Sequence, residues 1–93
     1  MNDKDYTEAR KWIAGFIANR RKELGFTQEE LAEKTGLGIA TIKRFEDGKF
    51  WINLKTLLFI CHELKLFFFL EEKDSEKELT KLMRERWGKI SKN

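Results

Sequence analysis

The chain has 93 residues, of which 41% are hydrophobic and 38% charged, with no proline and a formal net charge of +3. That length has room for one small core, and the composition is that of a folded chain and not a disordered one. No apolar run approaches the roughly 20 residues that a membrane span needs, and a single cysteine, Cys61, excludes a disulfide framework or a cysteine-rich metal site. The modest positive balance agrees with a nucleic-acid partner. The charged stretch Met1 to Arg10 has no signal-peptide apolar region, so a cytoplasmic protein is expected.

The first long pattern runs from about Thr7 to Leu24, with Trp12, Ile13, Phe16, Ile17 and Leu24 at helical spacing. Gly25 is placed to end it. Thr27 then caps a second helix, and Glu30 completes a Thr-x-x-Glu capping box. Phe26 before the cap and Leu31 after it fit the accompanying hydrophobic staple. That helix ends near Thr35. Gly36 supplies a hinge whose backbone a side chain would strain. A third helix follows from about Ile39 to Asp47, with Ile42 and Phe45 facing inward, and Gly48 ends it. Two short helices joined at a glycine hinge are the helix-turn-helix arrangement, in which the second helix projects into a DNA major groove.

Asn53 is expected to cap a fourth helix with the apolar stripe Leu54, Leu57, Leu58, Cys61 and Leu64. Cys61 reads as a small buried hydrophobe. Leu66-Phe67-Phe68-Phe69-Leu70 then breaks the helical period and reads as a short strand. A lone strand leaves its edge unpaired. Phe67, Phe68 and Phe69 are therefore expected to pair with the same strand of a second subunit in a twofold dimer. The alternative is that this run prolongs the fourth helix. A last amphipathic segment, 75–90, carries Leu79, Leu82, Met83, Trp87 and Ile90. It either packs as a terminal helix or presents Trp87 to a partner. The organisation expected is a DNA-binding domain over 7–65, a dimerisation strand over 66–73 and this segment.

The chemistry follows from the helix-turn-helix. The start of the second helix offers free N–H groups and a positive dipole end to a phosphate, and Gln28 adds its side-chain amide. Lys43, Lys49 and Lys55 are further phosphate candidates. On the third helix Ile39, Ala40, Thr41 and Arg44 are the candidates for base contact. Arg44 can donate two hydrogen bonds to guanine O6 and N7, and Ile39 and Ala40 can press on a thymine methyl. Arg44 on a phosphate is the alternative. His62 beside Glu63 is not a metal motif, since adjacent helix positions face different ways. With no nucleophile set and no phosphate-cradling glycine loop, neither an enzyme nor a cofactor is expected.

Several blocks carry a resemblance: Arg21 to Ala32, Thr35-Gly36-Leu37, Ala40-Thr41-Ile42 and Glu46-Asp47-Gly48-Lys49. Together they resemble the lambda-repressor/Cro-like helix-turn-helix family, also called the XRE family, over residues 11 to 65. The resemblance implies a mainly α fold with helices near 7–23, 28–35, 39–46, 54–63 and 76–88. It assigns Gln28 to phosphate, with base contact as the alternative, and Ile39, Ala40 and Arg44 to bases. It also pairs Arg21 with Glu46 in a structural salt bridge. The chain departs from the family at Gly38, where a serine or threonine cap is usual, at Ile39, where a polar reader is common, and at Ile52, often proline. Tyr6-Thr7, the helix-turn-helix and Leu64 to Leu70 are similar to the antitoxins of HipA-type kinase toxins, whose strands pair across the dimer axis. The resemblance implies a dimeric repressor of an inverted-repeat operator on double-stranded DNA, with neutralisation of a toxin protein as the alternative role.

Overall fold

The computed structural model describes residues 1–70, 72, 81, 82 and 85. Four α-helices follow one another: α1 Asp3–Glu23, α2 Gln28–Thr35, α3 Ile39–Glu46 and α4 Leu54–Glu63. The chain divides into two units, Arg10–Phe68 and Met1–Ala9 with the chain from Phe69 onward.

α1 begins four residues before the expected Thr7. The reason is a local cap: the Asp5 N–H donates to Asn2 Oδ1 (2.9 Å), and the Asn2 N–H donates back to Asp5 Oδ2 (3.1 Å). This is the capping-box reciprocity with shorter side chains. α1 ends in a Schellman motif, in which the Gly25 N–H donates to the Lys22 carbonyl and the Phe26 N–H to the Arg21 carbonyl. The same pair of bonds closes α3, from Gly48 to Phe45 and from Lys49 to Arg44. It also closes α4, from Lys65 to His62 and from Leu66 to Cys61. Lys65 occupies there the left-handed position (φ 56°) that glycine holds in the other two.

α2 packs against both α3 and α4. The core of the Arg10–Phe68 unit is built from Ile17, Leu31, Ala32, Ile42, Phe45, Ile60, Cys61 and Leu64. Burial raises the Cys61 thiol above its ordinary pKa, in keeping with a packing role. On α1 the stripe expected from Trp12 and Phe16 is corrected: small Ala14 is buried, while Trp12 and Phe16 are exposed and stack on each other at 5.6 Å. On α4 the buried side runs through Leu57, Ile60, Cys61 and Leu64, whereas Leu54 and Leu58 are exposed. From Leu57 to Cys61 this helix is apolar all round, so its period does not select a face.

Leu66–Leu70 is neither strand nor helix in the single chain, and no strand occurs among the described residues. The alternative of a longer α4 is overturned, because the left-handed turn at Lys65 stops that helix. A strand there would need hydrogen bonds that no other described segment of the chain supplies. Of the expected terminal helix over 75–90, Lys81, Leu82 and Glu85 are helical, and the rest, Trp87 included, lies outside the described residues.

Candidate nucleic-acid interface

Each part of the interface starts from a local rule. Thr27 accepts the Glu30 N–H on Oγ1, and Glu30 accepts the Thr27 N–H on its carboxylate, both at 3.0 Å. Hydrogen bonding to the Thr27 N–H and to the Thr27 hydroxyl outweighs desolvation and, with the nearby Lys34 charge, holds the Glu30 carboxyl below its ordinary pKa. The box consumes the third N–H of α2 and leaves those of Gln28 and Glu29 directed out of the helix end. Gly36, at φ 70° and ψ 12°, turns the chain out of α2. Gly38 then begins α3 with extended backbone and no side-chain cap.

α3 is strongly two-sided. Ile42 and Phe45 are buried in the core, at 0% and 4% exposure. Ala40, Lys43 and Arg44 are exposed, and their spacing of three and four residues sets them on one outer face. Thr41 is half-buried between the two sides. Ile39 is also half-buried and packs against the core, so only part of it is open to a base. Lys49, in the turn after α3, and Lys55, in the first turn of α4, are both exposed. The outer face thus carries cations at Lys43 and Arg44, with Lys49 following in the next turn.

A buried polar clamp holds the end of α3. Arg21 is 7% exposed. Its Nε donates to Glu46 Oε2 at 2.7 Å, its Nη2 to Glu46 Oε1 at 2.9 Å and its Nη1 to the Phe26 carbonyl at 2.6 Å. The hydrogen bond from Arg21 to Glu46 outweighs desolvation and, with the charge attraction, raises the guanidinium pKa above its ordinary value. Gln28 Nε2 also donates to Glu46 Oε1, at 3.0 Å. One carboxylate therefore ties together the end of α1, the start of α2 and the end of α3. An amide nitrogen has two hydrogens, so Gln28 keeps a second donor while anchored to Glu46.

Sequence reasoning missed three contacts here. Gln28 to Glu46 spans 18 residues, which no local pattern reports. Arg10 Nε donates to the Gly48 carbonyl at 2.7 Å, tying the turn after α3 to α1. The Arg44 guanidinium lies over the ring of Phe50, 4.9 Å from its centroid. Phe50 belongs to no helical stripe, so periodicity could not single it out.

The helix-turn-helix family model HTH_3 matches residues 17–66, from the last two turns of α1 through the end of α4. The chain belongs to this helix-turn-helix family. Its members are XRE-like modules that typically bind DNA and regulate transcription, and the module is non-catalytic. The matched span holds the Arg21–Glu46–Gln28 clamp and the whole outer face of α3. No curated protein and no solved structure matched the chain. Among the described residues no helix is long and apolar enough to cross a membrane.

Proposed function

We propose that this helix-turn-helix protein is a sequence-specific DNA-binding repressor that acts as a homodimer on an inverted repeat. The observation that carries the reading is the division of α3. Ile42 and Phe45 anchor one side while Ala40, Lys43 and Arg44 stand exposed on the other. In this reading α3 enters the major groove. Arg44 reads guanine through two edge hydrogen bonds, Ala40 and the open part of Ile39 meet thymine methyls, and Thr41 reaches a base or the backbone. Gln28 with the N-terminus of α2, and Lys43, Lys49 and Lys55, hold phosphates. The Arg21–Glu46 pair is structural: it ties the end of α3 to the end of α1.

One recognition helix buries little DNA, whereas two, one duplex turn apart, read a palindrome. The apolar run after α4 suits the role of joining two copies. Phe67 is 97% exposed and Phe69 59%, with Phe68 also open, and an uncovered apolar run of this kind marks an association surface. Pairing of the two 66–70 segments as strands would satisfy their backbone groups and set the spacing of the recognition helices. The same exposed run, which resembles that of the antitoxins, supports a second reading in which the protein also binds a toxin and regulates its own operon.

Selection of duplexes from a random library, followed by titration of wild type and Arg44→Ala, tests the reading. Wild type is expected to prefer the selected sequence, with affinity that falls as salt rises. Arg44→Ala is expected to lose discrimination worth about 1–3 kcal/mol per site. Sedimentation of Phe68→Pro is expected to show a weakened dimer with its helices intact. Equal affinity of the wild type for all duplexes would refute the reading. A fully dimeric Phe68→Pro protein would remove the strand from it.

A further inference from the structure

The turn after α3 does more than end a helix. Its Schellman bonds, from the Gly48 N–H to Phe45 and from the Lys49 N–H to Arg44, fold the chain back beside the last turn of α3. Phe50 is the next residue. It is half-buried and packed against the core, and its ring lies beneath the Arg44 guanidinium at 4.9 Å. Arg44 itself is exposed. The side chain that projects from α3 thus rests on a support which the core holds in place.

We propose that Phe50 is a specificity-positioning residue, whose ring holds the Arg44 guanidinium in place for base readout. The inference rests on the reading of Arg44 as a base-contacting residue. The chemistry of the two groups makes the roles compatible. A guanidinium is planar: its faces are weakly hydrated and stack on aromatic rings, whereas its N–H donors all lie in the plane and point outward. Bidentate recognition of guanine O6 and N7 uses two of those edge donors. A ring that meets the guanidinium on a face leaves that edge free. An arginine without such a support must give up its rotamer freedom at the moment of binding, whereas a stacked one has given up part of it already. Phe50 therefore raises the specific affinity without touching a base.

The test compares the wild-type chain with Phe50→Leu, Phe50→Tyr, Arg44→Ala and the Arg44→Ala/Phe50→Leu double variant. The probes are the duplex that wild type selects from a random library and a nonspecific duplex of equal length. The readout is the ratio of the two affinities. Phe50→Leu keeps apolar volume but no π face, and is expected to lower the ratio about two- to fivefold per recognition helix. Phe50→Tyr restores the ring and is expected to restore the ratio. In the Arg44→Ala background Phe50→Leu is expected to change nothing, because the residue acts only through Arg44. Loss of the ratio by the same factor in both backgrounds would overturn the proposal, as would an unchanged ratio in Phe50→Leu where Arg44→Ala has lowered it. A wild-type ratio in Arg44→Ala would instead overturn base reading by Arg44, and the proposal with it. Nuclear magnetic resonance of the free wild-type protein gives a check that needs no variant: the Arg44 δ-methylene protons should be shifted upfield by the ring current of Phe50. Unshifted protons would overturn the stack itself.

Discussion

The most informative perturbation of this fold is the loss of the Glu46 carboxylate. Glu46 accepts two hydrogen bonds from Arg21 and one from Gln28. The side chains of Arg21 and Glu46 are 9% and 5% exposed, so water cannot replace the lost acceptors without opening the junction of three helices. Glu46→Ala leaves a buried guanidinium with one remaining partner, the Phe26 carbonyl. Stranding a buried charge in this way costs about 3–5 kcal/mol. A chain of this length has a total stability of roughly 5–14 kcal/mol, so a large share disappears. Urea unfolding followed by far-ultraviolet circular dichroism should show the midpoint fall with little change in slope. Replacing both partners with apolar residues, Arg21→Met with Glu46→Leu, removes the charge together with its acceptor. The double variant should be more stable than Glu46→Ala. A loss below about 1 kcal/mol for Glu46→Ala, or a double variant whose cost equals the sum of the two single changes, would refute the clamp as the energetic link between α1 and α3.

Three further predictions concern the turns and caps. A Cβ on Gly48 would stand 3.0 Å from Lys11 Cγ and 3.3 Å from Lys11 Cα, whereas one on Gly25 meets nothing within 4 Å; both residues have positive φ. Gly25→Ala should cost about 1–2 kcal/mol for the left-handed backbone alone, and Gly48→Ala distinctly more in the same urea assay, with equal losses counting against the close approach to α1. Lys65→Gly should stabilise the protein by about 0.5–1 kcal/mol, because it relieves the same backbone cost at the end of α4, and a lowered midpoint would argue against the left-handed turn. The Glu30 carboxyl has a folded-state pKa below its unfolded value. Its contribution is therefore fully present above the unfolded pKa and is lost as pH falls through the lowered folded one. The stability gap between wild type and Glu30→Gln should shrink on acidification below the ordinary carboxylate range, and a gap constant across that range would contradict the capping-box geometry.

Much of the architecture follows from interactions within a few residues, and those are legible in the chain itself. Thr27 and Glu30 are three positions apart, so the start of α2 is written in four residues. The glycines at 25, 36 and 48 mark turns that a side chain would strain, and the alternation along α3 separates Ile42 and Phe45 from Lys43 and Arg44. The beginning of α1 was equally local, but its Asn2–Asp5 box lies outside the Ser/Thr and Glu/Gln pattern that signals one. The HTH_3 match covers the start of α2, the three glycine turns and α3.

The geometry of contacts between residues distant in sequence was decided only by the tertiary structure. Nothing in the pattern of α4 distinguishes Ile60 from Leu58, because the helix is apolar on all sides there; packing against α2 buries the first and leaves the second open. Arg21 meets Glu46 across 25 residues, a pair that the family resemblance implied but that no local pattern reports, and Gln28 meets Glu46 across 18. Phe50 comes to lie under Arg44 because the left-handed turn at Gly48 reverses the chain. Periodicity and capping describe one element at a time. The angle at which two elements dock, and hence which polar groups share a buried carboxylate, depends on side chains from all of them meeting at native density. The chain alone therefore specified α2, α3 and the outer face of α3, and the docked structure specified the geometry of the clamp that holds the end of that helix.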